Sequence, residues 1–293
     1  MKNIAFIINP VSGTQNKRRL PKLIEQSLDK SQWLPNIIYT KYAGHATELS
    51  QQYARMGFDA VVAVGGDGTV NEVARGLCGT DTALGVIPIG SGNGFARHLH
   101  IPLYANRAIE MLNNSESICV DYGMADEHPF FCTCGSGFDA LVAEKFAQAG
   151  NRGFMTYLQT ILKEFLSYSP QPYHLTGEGI DIETEALLLT FANANQWGNA
   201  AYIAPRASIQ DGLLDIAIVS KFPLIAVPDL AARLFQKTLD ETTYMTTLHA
   251  SDVTLHRADA GAFHIDGDPV HMGQDIHIRI VRDGLRVLVE KRF

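Results

Sequence analysis

Apolar and polar positions follow two different rhythms along this chain. Over residues 1 to about 120, short apolar runs are each followed by a helical pattern. Ile4–Ile8 is an apolar run ending in Asn9-Pro10, and a polar helical stretch follows around Asn16–Leu28. Ile37–Tyr39, Asp59–Val64 and Ala83–Ile87 read as further strands. His45–Met56, Thr69–Cys78, Asn93–Leu99 and Tyr104–Leu112 read as helices. This alternation predicts a mostly parallel sheet covered on both faces. Right-handed crossovers then place the turns that follow its strands at the carboxyl edge of the sheet.

After about residue 120 strand-like runs follow one another: Pro129–Cys134, Glu185–Ala192, Leu213–Val219, Thr246–Leu255, Gly261–Asp266 and Asp275–Val281. Ile276-His277-Ile278-Arg279-Ile280 alternates cleanly, as a half-buried antiparallel strand does. Two helical patterns interrupt them, Ala140–Leu166 with a break at Gly150–Gly153, and about Leu224–Lys237. The pattern divides the chain into an α/β domain over 1–122, joined by a returning C-terminal segment 285–293, and a β-rich domain over 123–284.

Two glycine-rich turns stand out against this pattern, Gly65-Gly66-Asp67-Gly68-Thr69 and Gly90-Ser91-Gly92-Asn93-Gly94. Each follows an apolar strand and opens a helical pattern. Bare backbone at a helix N-terminus is a natural cradle for phosphate oxygens. Two such turns predict one polyphosphate held by neighbouring strand ends. A purely structural turn with Asp67 as a helix cap is the competing reading. The dinucleotide fingerprint Gly-x-Gly-x-x-Gly is missing after the first strand, and a Walker A loop is missing altogether.

Composition narrows the classes. A net charge of −7 gives the molecule as a whole no basic character suited to nucleic acid or to anionic membranes, although local patches can differ. No run of 18 or more apolar residues marks a membrane-crossing helix, and the first residues lack a secretory pattern. The four cysteines, Cys78, Cys119, Cys132 and Cys134, read as reduced thiols of a cytoplasmic protein. Neither they nor the scattered histidines have metal-ligand spacing.

The motifs carry a resemblance. Val64–Val73 resembles the nucleotide loop of the diacylglycerol kinase catalytic-domain family, which includes bacterial soluble lipid kinases and sphingosine kinases. Asn9-Pro10-Val11-Ser12-Gly13 is similar to its first motif and Pro88–Arg97 to its third. Gly135–Asp139, Asp211–Asp215 and Asp266-Gly267-Asp268 also match, in the family's order and over nearly the whole chain. The resemblance implies an N-terminal α/β nucleotide domain like those of NAD kinase and phosphofructokinase, a C-terminal β-sandwich-like domain, and ATP in the cleft between them. It implies a transferase of lipid metabolism, acting on diacylglycerol or a sphingoid base, with ATP and Mg²⁺.

Carried over residue by residue, Asn9, Thr40, Gly65, Gly66, Asp67, Gly68, Thr69, Val70, Asn71, Ser91 and Asn93 would contact the nucleotide. Asp268 would take the proton of the acceptor hydroxyl, with Asp266 able to share that task. The family usually has Glu at position 268. Ser91-Gly92-Asn93 is closer to the sphingosine-kinase spelling, which leaves the acceptor lipid open. Ser208, Asp211 and Leu213 would hold one Mg²⁺ and Asp67 a second, riding with ATP; a plain Asp-Gly turn competes for 211–212, and a hairpin turn for 266–267. Asp139 would bind a lipid headgroup or cap a helix. The stripe Phe154, Tyr157, Leu158, Ile161, Leu162 and Phe165 is either core or an acyl-chain wall. Lys145, Arg152 and Lys163 against Glu164 favour transient docking on a membrane surface. Lys17, Arg18, Arg19 and Lys22 form a basic run, either a solvated helix face or a steering patch. A homodimer is compatible with the sequence. The rival readings are a soluble-substrate kinase such as an NAD kinase and a non-catalytic nucleotide-binding regulator.

Overall fold

A computed structural model of the chain describes residues 1–12, 19–148, 165, 167–177 and 179–291. It divides into two compact units: Met1–Asp121 with Gly198–Ala200 and Arg282–Phe293, and Tyr122–Trp197 with Ala201–Val281.

In the first unit β1 (Lys2–Ile8), β2 (Trp33–Tyr39), β3 (Ala60–Gly65) and β4 (Ala83–Pro88) form a parallel sheet in the order β2-β1-β3-β4. β3 and β4 are buried along their whole length, as strands covered on both faces must be. The helices are α1 (Leu20–Ser27), α2 (His45–Arg55), α3 (Asp67–Leu77), α4 (Gly94–His98) and α5 (Ala105–Asn113). α2 and α3 approach closely at Gly76, where a Cβ would lie 2.7 Å from the Thr47 carbonyl oxygen. Strand order reverses between β1 and β3. Ligands of open α/β sheets bind at such a switch point, beyond the carboxyl ends of the strands, and that is where Asn9 and Gly65-Gly66 lie.

The second unit is antiparallel. β5 (Ser115–Ala125) enters it and pairs with β6 (His128–Phe130). Next come β7 (Thr133–Gly137), α6 (Phe138–Gln148), β8 (Gln171–Gly177), β9 (Ile180–Ala186), β10 (Leu188–Ala192) and β11 (Leu214–Val219). They are followed by α7 (Val227–Gln236), β12 (Met245–Ala250), β13 (Asp252–Arg257), β14 (Gly261–Ile265), β15 (Asp268–Met272) and β16 (Asp275–Glu290). One sheet runs β12-β11-β10-β7-β14-β15. In the other, β13 lies between the start of β16 and β8, which in turn pairs with β9. Leu175, Val253, Leu255 and Ile276 of the second sheet share a core with Leu189, Phe191, Ile216 and Phe263 of the first, making a β-sandwich. The alternate residues Leu188, Ala192, Ala217 and Val219 face a second apolar cluster that includes Phe138 and Val142 of α6 and Leu230 of α7. The central strands β7, β10 and β11 are therefore buried along their whole length, while β12 and β15 at the edges are partly exposed.

Several expected elements divide or merge. The run Thr246–Leu255 is two strands broken at Ser251, because β12 pairs with β11 of one sheet and β13 with β8 of the other. Pro129–Cys134 is split between β6 and β7. Asp275–Val281 and Leu285–Val289 are a single strand, β16, antiparallel to β13 near its start and parallel to β4 at Val287. β5, β8, β9 and β15 had no clear mark in the hydrophobic pattern. All four cysteines are free thiols.

Candidate functional site

In the first unit the two glycine turns touch. A Cβ on Gly90 would lie 2.5 Å from the Gly66 Cα, and one on Gly65 would lie 2.3 Å from the Thr69 Oγ1. Neither position accepts a side chain without separating the turns or displacing Thr69. Asp67 binds the turns together. Its Oδ2 accepts the Asn93 backbone N–H at 2.8 Å and its Oδ1 that of Gly94 at 2.7 Å. Asn93 sits in the left-handed region (φ 52°), and its side chain closes its own turn, accepting from Gly90 N–H and donating to Gly90 carbonyl. Arg97 Nε donates to the Gly92 carbonyl.

Asn9, after β1, donates to Thr69 Oγ1 at 3.0 Å, and Thr40 donates its N–H to Ile8 at the end of β1. Asn9, Thr40 and Gly65–Thr69 therefore cluster at one sheet edge. Two observations fit an anion there. No side chain caps the N-terminus of α3, so its first N–H groups are available to phosphate oxygens. The buried Asn71 Nδ2 has no hydrogen-bond partner, which a buried donor rarely tolerates. Ser91 is exposed at the tip of the second turn. Sequence reasoning missed the segment 198–200: Asn199 N–H donates to the Gly92 carbonyl, and nothing in its local sequence announces that contact.

In the second unit Asp266-Gly267 is the two-residue turn of the β14–β15 hairpin. Both have positive φ, 51° and 86°, as a type I′ turn requires and as Asp-Gly favours. The hairpin reading of 266–267 therefore holds for the backbone. Asp266 is more than a turn residue. Its Oδ2 accepts Phe131 N–H, and its Oδ1 accepts those of Cys132 and Thr133, at 2.7–2.9 Å. Burial pushes its carboxyl up to about 6, against those three N–H bonds and the neighbouring His264, which hold it down. Both oxygens of Asp266 thus serve the main chain. Asp268 begins β15 and is exposed.

Beneath this turn lies a buried polar group around Asp139, whose partners His264 and Thr190 the sequence did not suggest. His264 Nε2 is 3.0 Å from Asp139 Oδ2, which also accepts the Thr190 hydroxyl at 3.0 Å. His264 Nδ1 faces the Gly267 N–H at 3.4 Å. That contact makes Nδ1 the acceptor and leaves the proton on Nε2 to donate to Asp139. Asp139 opens α6 with its Oδ1 on the Ala140 N–H, so its side chain is committed within the protein. Phe165 packs edge-on against Phe138 and lies 5.2 Å from the Phe222 ring, within the apolar cluster of α6 and α7. Phe154, Tyr157, Leu158, Ile161 and Leu162 lie outside the described residues, as do Lys17, Arg18, Arg152, Lys163 and Glu164.

Asp211 and Gly212 form a tight turn in which Asp211 Oδ1 accepts Leu213 N–H at 3.0 Å, with Gly212 at φ 72°. Ser208 Oγ accepts Gln210 N–H. Among the described residues no three His, Cys, Asp or Glu side chains converge as metal ligands. A Mg²⁺ at Ser208, Asp211 and Leu213 would have to rest on one carboxylate, carbonyl oxygens and water, a donor set that suits this ion.

A family model described as the diacylglycerol kinase catalytic domain matches residues 3–125. A second, described as the YegS C-terminal NAD kinase beta sandwich-like domain, matches residues 132–289. The chain is 29% identical over 252 residues to "Probable lipid kinase YegS" of Salmonella typhimurium strain LT2, covering 83% of this chain and 82% of that protein. It is 32% identical over 196 residues to "Probable lipid kinase YegS-like" of Pseudomonas putida strain KT2440, 66% of each. The crystal structure of a diacylglycerol kinase from Bacillus anthracis strain Sterne has the same fold, with a TM-score of 0.78 at 20% identity over 99% of this chain and 97% of that one.

Proposed function

Because this chain belongs to the diacylglycerol kinase catalytic-domain family, with relatives named as probable lipid kinases, we propose that it transfers the γ-phosphoryl group of ATP to a hydroxyl of diacylglycerol or of a sphingoid base. The observation that carries the nucleotide half is the joined pair of glycine turns, with an uncapped α3 N-terminus and, one turn further along α3, a buried Asn71 whose Nδ2 has no partner. Gly65–Asn71 would hold the phosphates through backbone N–H groups, with Asn9, Thr40 and the Ser91 hydroxyl around them.

The lipid hydroxyl oxygen attacks the γ-phosphorus, the bond from that phosphorus to the bridging oxygen breaks, and ADP departs. Asp268 takes the hydroxyl proton. The transition state is loose and the proton leaves late, so an ordinary carboxylate suffices as base and positioning carries most of the rate. Mg²⁺, when bound, neutralises phosphate charge. Asp67 supports the site chiefly by keeping the two turns together.

The test is transfer itself. With MgATP, the enzyme is incubated with total lipid extract, and separately with diacylglycerol, sphinganine and NAD, and products are weighed by mass spectrometry. A lipid product heavier by one phosphoryl group is expected. Phosphorylated NAD alone would establish the soluble-substrate reading, and no product from any acceptor would establish the non-catalytic one. Asp67→Asn removes one of two charge-assisted bonds between the turns, worth about 1.5–3 kcal/mol. It is expected to weaken ATP binding by about 10- to 100-fold, read by calorimetric titration.

A further inference from the structure

Residues 224–236 present an apolar face that nothing in the described structure covers. The turn Leu224–Ala226 leads directly into α7. One side of this segment faces inward: Leu230 is buried, and Ala226 and Leu234 pack on the cluster around Ile203, Leu239 and Met245. The other side is also apolar. Leu224 is 58% exposed, Ile225 89% and Phe235 57%. Pro228, Ala231 and Ala232, all exposed, connect them. Positions 225, 228, 232 and 235 follow helical spacing and make a single stripe. A helix apolar on both sides has its outer side matched to something other than water.

Charge selects the occupant. Within 221–237 the charged groups are Lys221, Asp229, Arg233 and Lys237, three positive against one negative in a chain of −7; of the two acids that follow, Asp240 is paired with Arg206 at 2.7 Å and Glu241 is exposed. Asp229 is paired with Arg233 at 2.8 Å, so the exposed lysines stand at the two ends. Lys237 lies 4.4 Å over the Tyr202 ring. An apolar ridge with a cation at each end complements a surface of anionic headgroups above acyl chains. Among the described residues no helix is long and apolar enough to cross a membrane. The ridge is about 20 Å long, so it would lie along such a surface.

We propose that Leu224–Gln236, flanked by Lys221 and Lys237, is the element with which this protein docks on an anionic lipid bilayer. The proposal rests on the lipid-kinase reading, since an acceptor embedded in a bilayer requires the enzyme to sit upon it. The docking itself needs no ATP and no turnover, so it is measured separately.

Vesicles of phosphatidylcholine with and without phosphatidylglycerol are sedimented with wild type, with Leu224→Asp/Ile225→Asp, and with Lys221→Ala/Lys237→Ala. All substituted side chains are exposed, and unchanged thermal unfolding confirms folding. Wild type should partition onto the anionic vesicles. The aspartate pair should lower partitioning at least tenfold on both compositions. Each lysine removed should cost about fivefold on anionic vesicles and nothing on neutral ones. The aspartate pair should also lose activity on bilayer substrate while keeping it on a monodisperse short-chain lipid. Wild-type partitioning with no lipid phosphorylated by any form would sink the kinase reading and leave the docking surface standing. Unchanged partitioning of the aspartate pair would overturn the proposal. So would a shift of that pair from dimer to monomer in equilibrium sedimentation without loss of vesicle binding, which would make the ridge an interface between copies.

Discussion

Asp268→Asn is expected to lower kcat by about 10²–10⁴-fold, the usual contribution of a positioned general base, with ATP affinity unchanged. The side chain is exposed at the start of β15, one residue beyond a type I′ turn whose geometry depends on Asp266 and Gly267. Asparagine has nearly the same shape and cannot take a proton, so the turn survives while the chemistry is lost. The measurement is steady-state kinetics on the acceptor identified by mass spectrometry, alongside calorimetric ATP binding. Asp268→Glu, which restores the residue usual in the family, should retain much of the turnover. If Asp268→Asn turns over near the wild-type rate, the proton goes elsewhere and the assignment fails.

The second large effect concerns stability. Asp266→Ala would leave the N–H groups of Phe131, Cys132 and Thr133 without their acceptor. Each orphaned amide costs about 1–3 kcal/mol. Alanine is also disfavoured at the φ of 51° that Asp266 adopts. Against these stands relief of a buried charge. The gap between the ordinary 3.8 and about 6 corresponds to about 3 kcal/mol at neutral pH. The bonds win, and a net loss of several kcal/mol is a large share of an ordinary domain's stability.

The pH dependence separates the two effects. Because the carboxyl's value is raised on folding, the native state holds its proton more tightly than the unfolded chain does. Asp266 therefore costs wild type least below about pH 4, and stability falls as pH rises towards about 6. Asp266→Asn has no such proton, keeps one acceptor oxygen and tolerates the positive φ. Urea denaturation from pH 4 to 7 should show the wild-type stability declining relative to this variant across that window. Parallel profiles would show that the carboxyl is not raised.

Much of the architecture was legible because strand and helix periodicity is local. The α/β first half and the antiparallel second half follow from the spacing of apolar residues, the glycine turns from a close backbone approach that leaves no room for a Cβ at Gly65 and Gly90, and the Asp266-Gly267 hairpin from the few residues that tolerate its positive φ. The limits were equally physical. Apolar positions in Thr246–Leu255 shift phase at Ser251, from Leu248 and Ala250 to Val253 and Leu255, but a phase shift alone does not say that the chain there leaves one sheet for the other. Nor does anything in Phe131-Cys132-Thr133 show that its N–H groups point at a carboxylate more than 130 residues later.

Sequence alone determined the two glycine turns, the Asp266-Gly267 hairpin and the family. Tertiary structure decided what the acidic residues in those motifs do. Asp67 joins two turns 25 positions apart, Asp266 anchors the β6–β7 connection, and Asp139 is held by His264 and Thr190. A carboxylate's identity is written in its own residue, but its acceptor capacity is divided among whichever N–H and O–H groups packing brings within 3 Å. Those donors come from strands whose register no single segment contains.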